Sequence, residues 1–140
     1  AILIYYCVCT RAYSVNMSDK ITITATLPQA LNSKLVTIRN NRKLNLCEYM
    51  EHPDTNERST QRSRPTVFFI HGSMANYQQF DHLISNFIKD YNIVAWDSYG
   101  CGGSEKPQGW EEYSADEHLE DVKAIVQKYK SSTNHLICHR

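Results

Sequence analysis

Very little in this sequence breaks or stretches the backbone: 140 residues hold only 5 glycines and 4 prolines, which excludes collagen-like and low-complexity chains. Charge of one sign is also lacking, with 15 basic residues against 15 acidic ones. Without a basic excess there is no electrostatic footprint for nucleic acid. The apolar run at residues 2–9 falls far short of the roughly 20 residues that span a bilayer, so no transmembrane helix is expected there. Cysteine is sparse and unpaired in pattern. Positions 7, 9, 47, 101 and 138 give an odd count that fits neither a zinc ribbon nor an even disulfide framework. Free thiols in a reducing compartment, such as the cytoplasm, are the reading, with no metal site and no cofactor implied. Nucleotide binding at Gly100-Cys101-Gly102-Gly103 is weakly supported, because no P-loop lysine follows and the dinucleotide glycine fingerprint is unmatched.

What remains is a globular balance, 41% hydrophobic and 21% charged, in a chain sized for one domain. The charge is unevenly divided about Pro65. Residues 1–64 carry nine Lys/Arg and five Asp/Glu, whereas residues 65–140 carry six and ten. Residues 1–19 read as a disordered extension without structural importance, and Met17 is a candidate true start. Residues 20–52 read as N-terminal strands. A short strand is suggested by Ile21-Thr22-Ile23-Thr24, and a hairpin by two alternating arms, 35–39 and 42–49, around Asn40-Asn41. Residues 53–64 hold no aliphatic or aromatic side chain and form an exposed loop.

From Pro65 the pattern changes. Thr66-Val67-Phe68-Phe69-Ile70 is a continuous apolar run, as a strand covered on both faces requires. Phe80, Leu83, Ile84, Phe87 and Ile88 then mark one stripe of a helix over about 77–89. A second strand over 91–96 enters the Gly-rich turn 97–104. Ser114-Ala115-Asp116-Glu117 is a capping box that opens a helix with Leu119, Val122, Ile125, Val126 and Tyr129 on its inner face. Residues 134–138 begin another buried strand. Strand, helix, strand, helix, strand predicts a mostly parallel α/β sandwich over residues 65–140, with the hairpin as its antiparallel edge.

Three motifs give this pattern a family. Val67-Phe68-Phe69-Ile70-His71-Gly72 resembles the strand-plus-His-Gly signature before the oxyanion loop of α/β-hydrolases. Asp97-Ser98-Tyr99-Gly100-Cys101-Gly102-Gly103-Ser104 resembles that family's D-x-x-G-x-G-x-S turn. His135-Leu136-Ile137-Cys138-His139-Arg140 is similar to the strand that runs into the nucleophile elbow. The resemblance covers about the last 75 residues, and it implies an incomplete α/β-hydrolase sandwich.

The resemblance assigns roles as well. His71, Gly72 and Ser73 become oxyanion-hole candidates, Ser73 through its backbone N–H, since a fixed donor aimed at the developing oxyanion is worth about 3–4 kcal/mol. Asp97, Gly100, Gly102 and Ser104 are read as a structural turn in which the carboxylate accepts local backbone N–H groups. The expected nucleophile position holds Arg140, which has no lone pair for attack, so no catalytic residue is assigned. Cys101 as a substitute nucleophile lacks a neighbouring histidine in any local motif. The family reading is a serine hydrolase acting on a small ester, lipid or epoxide, truncated at the elbow and inactive as 140 residues. The alternative is a non-catalytic binding or scaffolding protein that keeps part of the fold. A sheet ending at the strand over 134–138 would expose an apolar edge and favour self-association.

Overall fold

The computed structural model describes residues 2–6, 32–50 and 64–139. They form one six-stranded sheet in the order β1-β6-β4-β5-β3-β2. The strands are β1 (Ile2–Tyr6), β2 (Ser33–Arg39), β3 (Arg42–Tyr49), β4 (Thr66–Ile70), β5 (Asn92–Trp96) and β6 (Asn134–Cys138). Helix α1 (Asp81–Phe87) follows a 3₁₀ turn at Tyr77–Phe80, and α2 (Ala115–Tyr129) follows another at Trp110–Tyr113. β1, β6, β4 and β5 run parallel, while β3 pairs antiparallel with both β5 and β2. The suggested strand at 21–24, nearly all of the loop over 53–64 and Arg140 lie outside the described residues.

Period two in β4 and β5 builds the core. Val67, Phe69, Ile93 and Ala95 face one way and meet Phe80, Ile84 and Ile88 around α1. Phe68, Val94 and Trp96 face the other way and meet Ile125 of α2 together with Leu44 and Leu46 of β3. A sheet whose inner strands are apolar on both faces needs a cover on each, and the two helices supply them.

The hairpin forms because Asn40 and Asn41 both take positive φ, 43° and 61°. Consecutive left-handed residues give the turn whose twist matches that of paired strands, and asparagine tolerates that region. The first helix starts later than its stripe suggests. Asn76 accepts from the Gln78 N–H and Asp97 accepts from the Tyr77 N–H, which hold the first turn tight as 3₁₀.

Four sequence expectations change. Residues 1–19 were expected to form an extension without structure, yet Ile2–Tyr6 is a strand parallel to β6 in unbroken register from Ile2↔Asn134 to Tyr6↔Cys138. Its continuous apolar composition suits an added parallel strand. The expected open edge at β6 is therefore occupied, and β1 is outermost. In α2, Leu119 is 50% exposed while Asp121 is buried at 2%. The inner face carries a charge there because two arginines of the hairpin await it. Only half of the capping box forms: the Ser114 hydroxyl accepts from the Glu117 N–H, but the Glu117 carboxylate turns to Arg39.

Candidate functional site

β4, β5 and β6 all deliver the chain to the same end of the sheet, the carboxyl ends of parallel strands, where α/β folds place their ligands. After Ile70 the chain turns through His71-Gly72-Ser73-Met74. The Ala75 N–H donates to the Gly72 carbonyl at 3.4 Å, and of the two central residues only Met74 has positive φ, 58°. That is a type II turn. Among the described residues the Ser73 N–H has no hydrogen-bond acceptor, and Ser73 is among the residues that line a cavity of about 360 Å³.

His71 is buried and both of its ring nitrogens are committed. Nε2 accepts from the Ser98 N–H at 2.8 Å, so the proton resides on Nδ1, which donates to the Gly72 carbonyl at 2.7 Å. The imidazole thus ties the end of β4 to the end of β5 and shapes the turn; it is a brace for the turn after β4 and has no free nitrogen for substrate. The His139 N–H donates to the Ile70 carbonyl at 2.9 Å and ties in the end of β6.

The Gly-rich turn is organised by Asp97, which is 2% exposed. Its carboxylate accepts from the Tyr77 N–H, the Gly103 N–H and the Asn45 side-chain amide, each at 2.8–2.9 Å. Both oxygens are engaged in structural hydrogen bonds, which argues against a triad role. Gly102, at φ +47°, lies so close that a β-carbon would stand 2.2 Å from Asp97 Oδ2. Gly100, at φ +88°, leaves room for the Tyr113 ring. The Ser104 hydroxyl donates to the Asp97 carbonyl and accepts from the Asn45 N–H, joining the turn to β3.

Tertiary structure adds groups that no local motif brings together. Cys101, His118, Tyr113 and Asp121 join Ser73, Met74, Ser98 and Tyr99 around the cavity. Burial and the Asp97 carboxylate raise the Cys101 thiol, while burial lowers His118. The two shifts are in opposite senses and both disfavour transfer of the thiol proton to the imidazole, so Cys101 and His118 make a poor nucleophile and base pair. Among the described residues no nucleophile–His–carboxylate chain of hydrogen bonds surrounds the cavity, and no group of three or more potential metal ligands is present.

Behind Asp121, which lines the cavity, lies a charge cluster that sequence reading missed. Asp121 receives Arg39 Nε at 2.8 Å, Arg42 Nε at 3.0 Å and an Arg42 terminal nitrogen at 2.8 Å. The Arg42 guanidinium also lies 3.7 Å over the centre of the Tyr99 ring. Glu117 is held below the usual carboxylate range by its hydrogen bond from Arg39. A signal did exist. Arg42 shares the inward alternation of Leu44 and Leu46, and Asp121 lies four residues before Ile125 on the buried face of its helix. Opposite charges at two core positions belong together, but nothing in sequence ties positions separated by 79 residues.

The comparisons extend this geometry. Epoxide hydrolase 4 of Mus musculus is 30% identical over 79 residues, covering 56% of this chain and 22% of that protein. A probable lysophospholipase, BODYGUARD 4 of Arabidopsis thaliana, is 26% identical over 98 residues, covering 68% of this chain and 23% of that one. The chain therefore spans less than a quarter of the length of these curated relatives. Among solved structures, an epoxide hydrolase from Vigna radiata superposes with a TM-score of 0.64 at 22% identity, over 79% of this chain and 32% of that one. A thioesterase domain from the curacin biosynthetic pathway superposes at 0.65 and 20% identity, over 79% and 36%. These two likenesses speak for the fold alone. The sequence profile of the alpha/beta hydrolase fold matches residues 65–139, the same span that carries the turn after β4, the Asp97 turn and the cavity between them. On that match, the chain belongs to the alpha/beta hydrolase fold family.

Proposed function

We propose that residues 65–139 form the oxyanion-stabilising and substrate-cradling half of a hydrolase acting on an ester, lipid or epoxide bond. The observation that carries the reading is the Ser73 N–H, without an internal acceptor, in a cavity-lining turn that the His71 brace holds in place. In acyl transfer the oxygen of the attacked carbonyl gains charge, and a donor held in place beforehand stabilises it without reorganisation. Two of the relatives bear the names epoxide hydrolase and lysophospholipase, which supports these substrate classes.

The test uses the product of the complete transcript, assayed on a p-nitrophenyl ester, a lysophospholipid and styrene oxide. Ser73→Pro is the informative variant. Proline suits the second position of a type II turn, so it deletes the N–H and keeps the turn. A fall in kcat of about 10²–10³ with little change in KM is expected. Unchanged kcat would remove Ser73 from the oxyanion role, and failure to hydrolyse all three substrates would remove the hydrolase reading.

A second reading is a non-catalytic binding unit. It is favoured by the commitment of His71, Asp97 and Asp121 to structural hydrogen bonds. Under it, the same product binds an ester or lysophospholipid in the cavity without turnover.

A further inference from the structure

We propose that Arg42 is a positioning residue for the turn after β4: stacked on Tyr99, it fixes the Ser98 N–H to which the His71 brace is bonded. Its consequence for catalysis rests on the hydrolase reading; its consequence for the His71 ring does not. Arg42 is 5% exposed and held on two sides. Its Nε lies 3.0 Å from Asp121 Oδ1, a terminal nitrogen lies 2.8 Å from Oδ2, and the Glu112 carbonyl accepts at 3.3–3.4 Å. A planar fork bonded in this way has a fixed orientation as well as a fixed place. Its central carbon stands 3.7 Å over the centre of the Tyr99 ring, and Tyr99 is itself buried. A guanidinium there is attracted to the ring face, the more so where water is excluded.

Tyr99 belongs to a tight turn of its own. The Cys101 N–H donates to the Ser98 carbonyl at 2.8 Å and Gly100 has φ +88°, so Ser98 to Cys101 form a type II turn with Tyr99 at its first central position. One side chain joins this turn to the one at 72–75. His71 Nε2 accepts from the Ser98 N–H at 2.8 Å, and Nδ1 donates to the Gly72 carbonyl at 2.7 Å. Tyr99 and the Ser98 N–H are parts of one hydrogen-bonded turn, so a ring held in place restricts where that N–H can point. The contacts run from Asp121 through Arg42, Tyr99 and Ser98 to His71, and end on the residue before Ser73.

A second arginine separates this role from charge balance. Arg39 Nε donates to the same Asp121 carboxylate at 2.8 Å, and its terminal nitrogen goes to Glu117 in the first turn of α2. Both arginines come from the hairpin and both neutralise Asp121, but the cation stacked on Tyr99 is Arg42. Removing either leaves the carboxylate one arginine, so neither change strands a buried charge. A chain of contacts is not yet a coupling, and the comparison of these two residues measures it.

The experiment compares Arg42→Met with Arg39→Met in the product of the complete transcript. Kinetics use the p-nitrophenyl ester, the lysophospholipid and styrene oxide, while ring-nitrogen NMR of His71 and amide exchange at Ser98 read the brace directly. Arg42→Met should lower kcat about 10- to 100-fold with KM held within about twofold, less than the loss of the donor itself would cost. Ser98 exchange should speed up about tenfold or more, and the separate signals of the protonated Nδ1 and the unprotonated Nε2 should move toward an average. Arg39→Met should leave kcat, both ring signals and Ser98 exchange as in the wild type. Tyr99→Phe, which keeps a ring for the guanidinium, should lose far less than Tyr99→Leu. If Arg42→Met does not fold, Arg42→Met combined with Asp121→Leu takes its place, since it removes the carboxylate together with its partner. A wild type that hydrolyses none of the three substrates sinks the hydrolase reading, and the His71 and Ser98 measurements then decide the proposal alone. Matching responses of the two arginine variants, or an Arg42→Met with wild-type His71 signals and Ser98 exchange, overturn it.

Discussion

Replacing Asp121 by leucine strands a guanidinium. Arg42 is 5% exposed and Asp121 2%, and three hydrogen bonds of 2.8–3.0 Å bind the carboxylate to two arginines. Without it, Arg42 keeps only the Glu112 carbonyl at 3.3–3.4 Å, the Tyr99 ring, and carboxylates of Glu112 and Glu117 at 3.7–3.9 Å. Breaking a buried pair from one side costs about 3–5 kcal/mol; the remaining acceptors put Asp121→Leu near the lower end, about 3 kcal/mol. That is a large part of the roughly 5–15 kcal/mol by which domains are stable. Arg42→Met combined with Asp121→Leu removes both charges and fills the site with apolar atoms. It should lie within about 1 kcal/mol of the wild type, since desolvation of the pair had offset most of its attraction. Urea unfolding followed by the fluorescence of Trp96, which is 1% exposed, reads both variants. At a slope of about 1–3 kcal/mol per molar, the single variant moves the midpoint by about 1–3 M. An Asp121→Leu cost below about 1 kcal/mol, or a double variant as damaged as the sum of its singles, would refute the reasoning.

Gly102→Ala should cost about 2–4 kcal/mol, because φ +47° strains alanine and its β-carbon would strike the Asp97 carboxylate, displacing three buried hydrogen bonds; thermal unfolding checks it. Cys47 is 1% exposed, and burial pushes its thiol from 9.0 to about 11. Below pH 9 both folded and unfolded thiols are protonated and contribute no slope. Between pH 9 and 11 the unfolded chain loses this proton and the folded one keeps it, so stability falls by up to roughly 2–3 kcal/mol. Cys47→Ala should flatten that part of the stability–pH curve relative to wild type; superimposable slopes would contradict the assignment. His71→Ala leaves the Ser98 N–H without its acceptor, at a cost of about 1–3 kcal/mol. Amide exchange at Ser98 should accelerate more than exchange at Ile93, deep in β5.

The parallel core was legible because each of its strands is a short apolar run and each helix has a stripe, signals that need no partner to be recognised. The hairpin was legible from Asn40-Asn41, whose chemistry suits left-handed backbone. Less could be read where position depends on a distant partner. The inward Asp121 looks like an interruption of its helical stripe until Arg42 supplies the counter-charge, and Ile2–Tyr6 has no local feature that names β6 as its neighbour. At the site, Ser73 and Asp97 stood out by motif. The double commitment of the His71 ring, and the convergence of Cys101 with His118 on one cavity, are properties of strand ends brought together by the sheet.

The Asp97 carboxylate has a kinetic consequence. Its acceptor sites are filled from 6, 20 and 52 residues away. In a chain where β4, β5 and α1 have met but the hairpin has not docked, this charge would face the forming core with one partner missing. Such a state is penalised, so hairpin docking and closure of the Gly-rich turn should occur as one late, long-range step. The backbone amides of Tyr77 and Gly103, and that of Asn45, which donates to the Ser104 hydroxyl of the same turn, would then open together under native conditions, as a single unit of exchange in three separate parts of the chain.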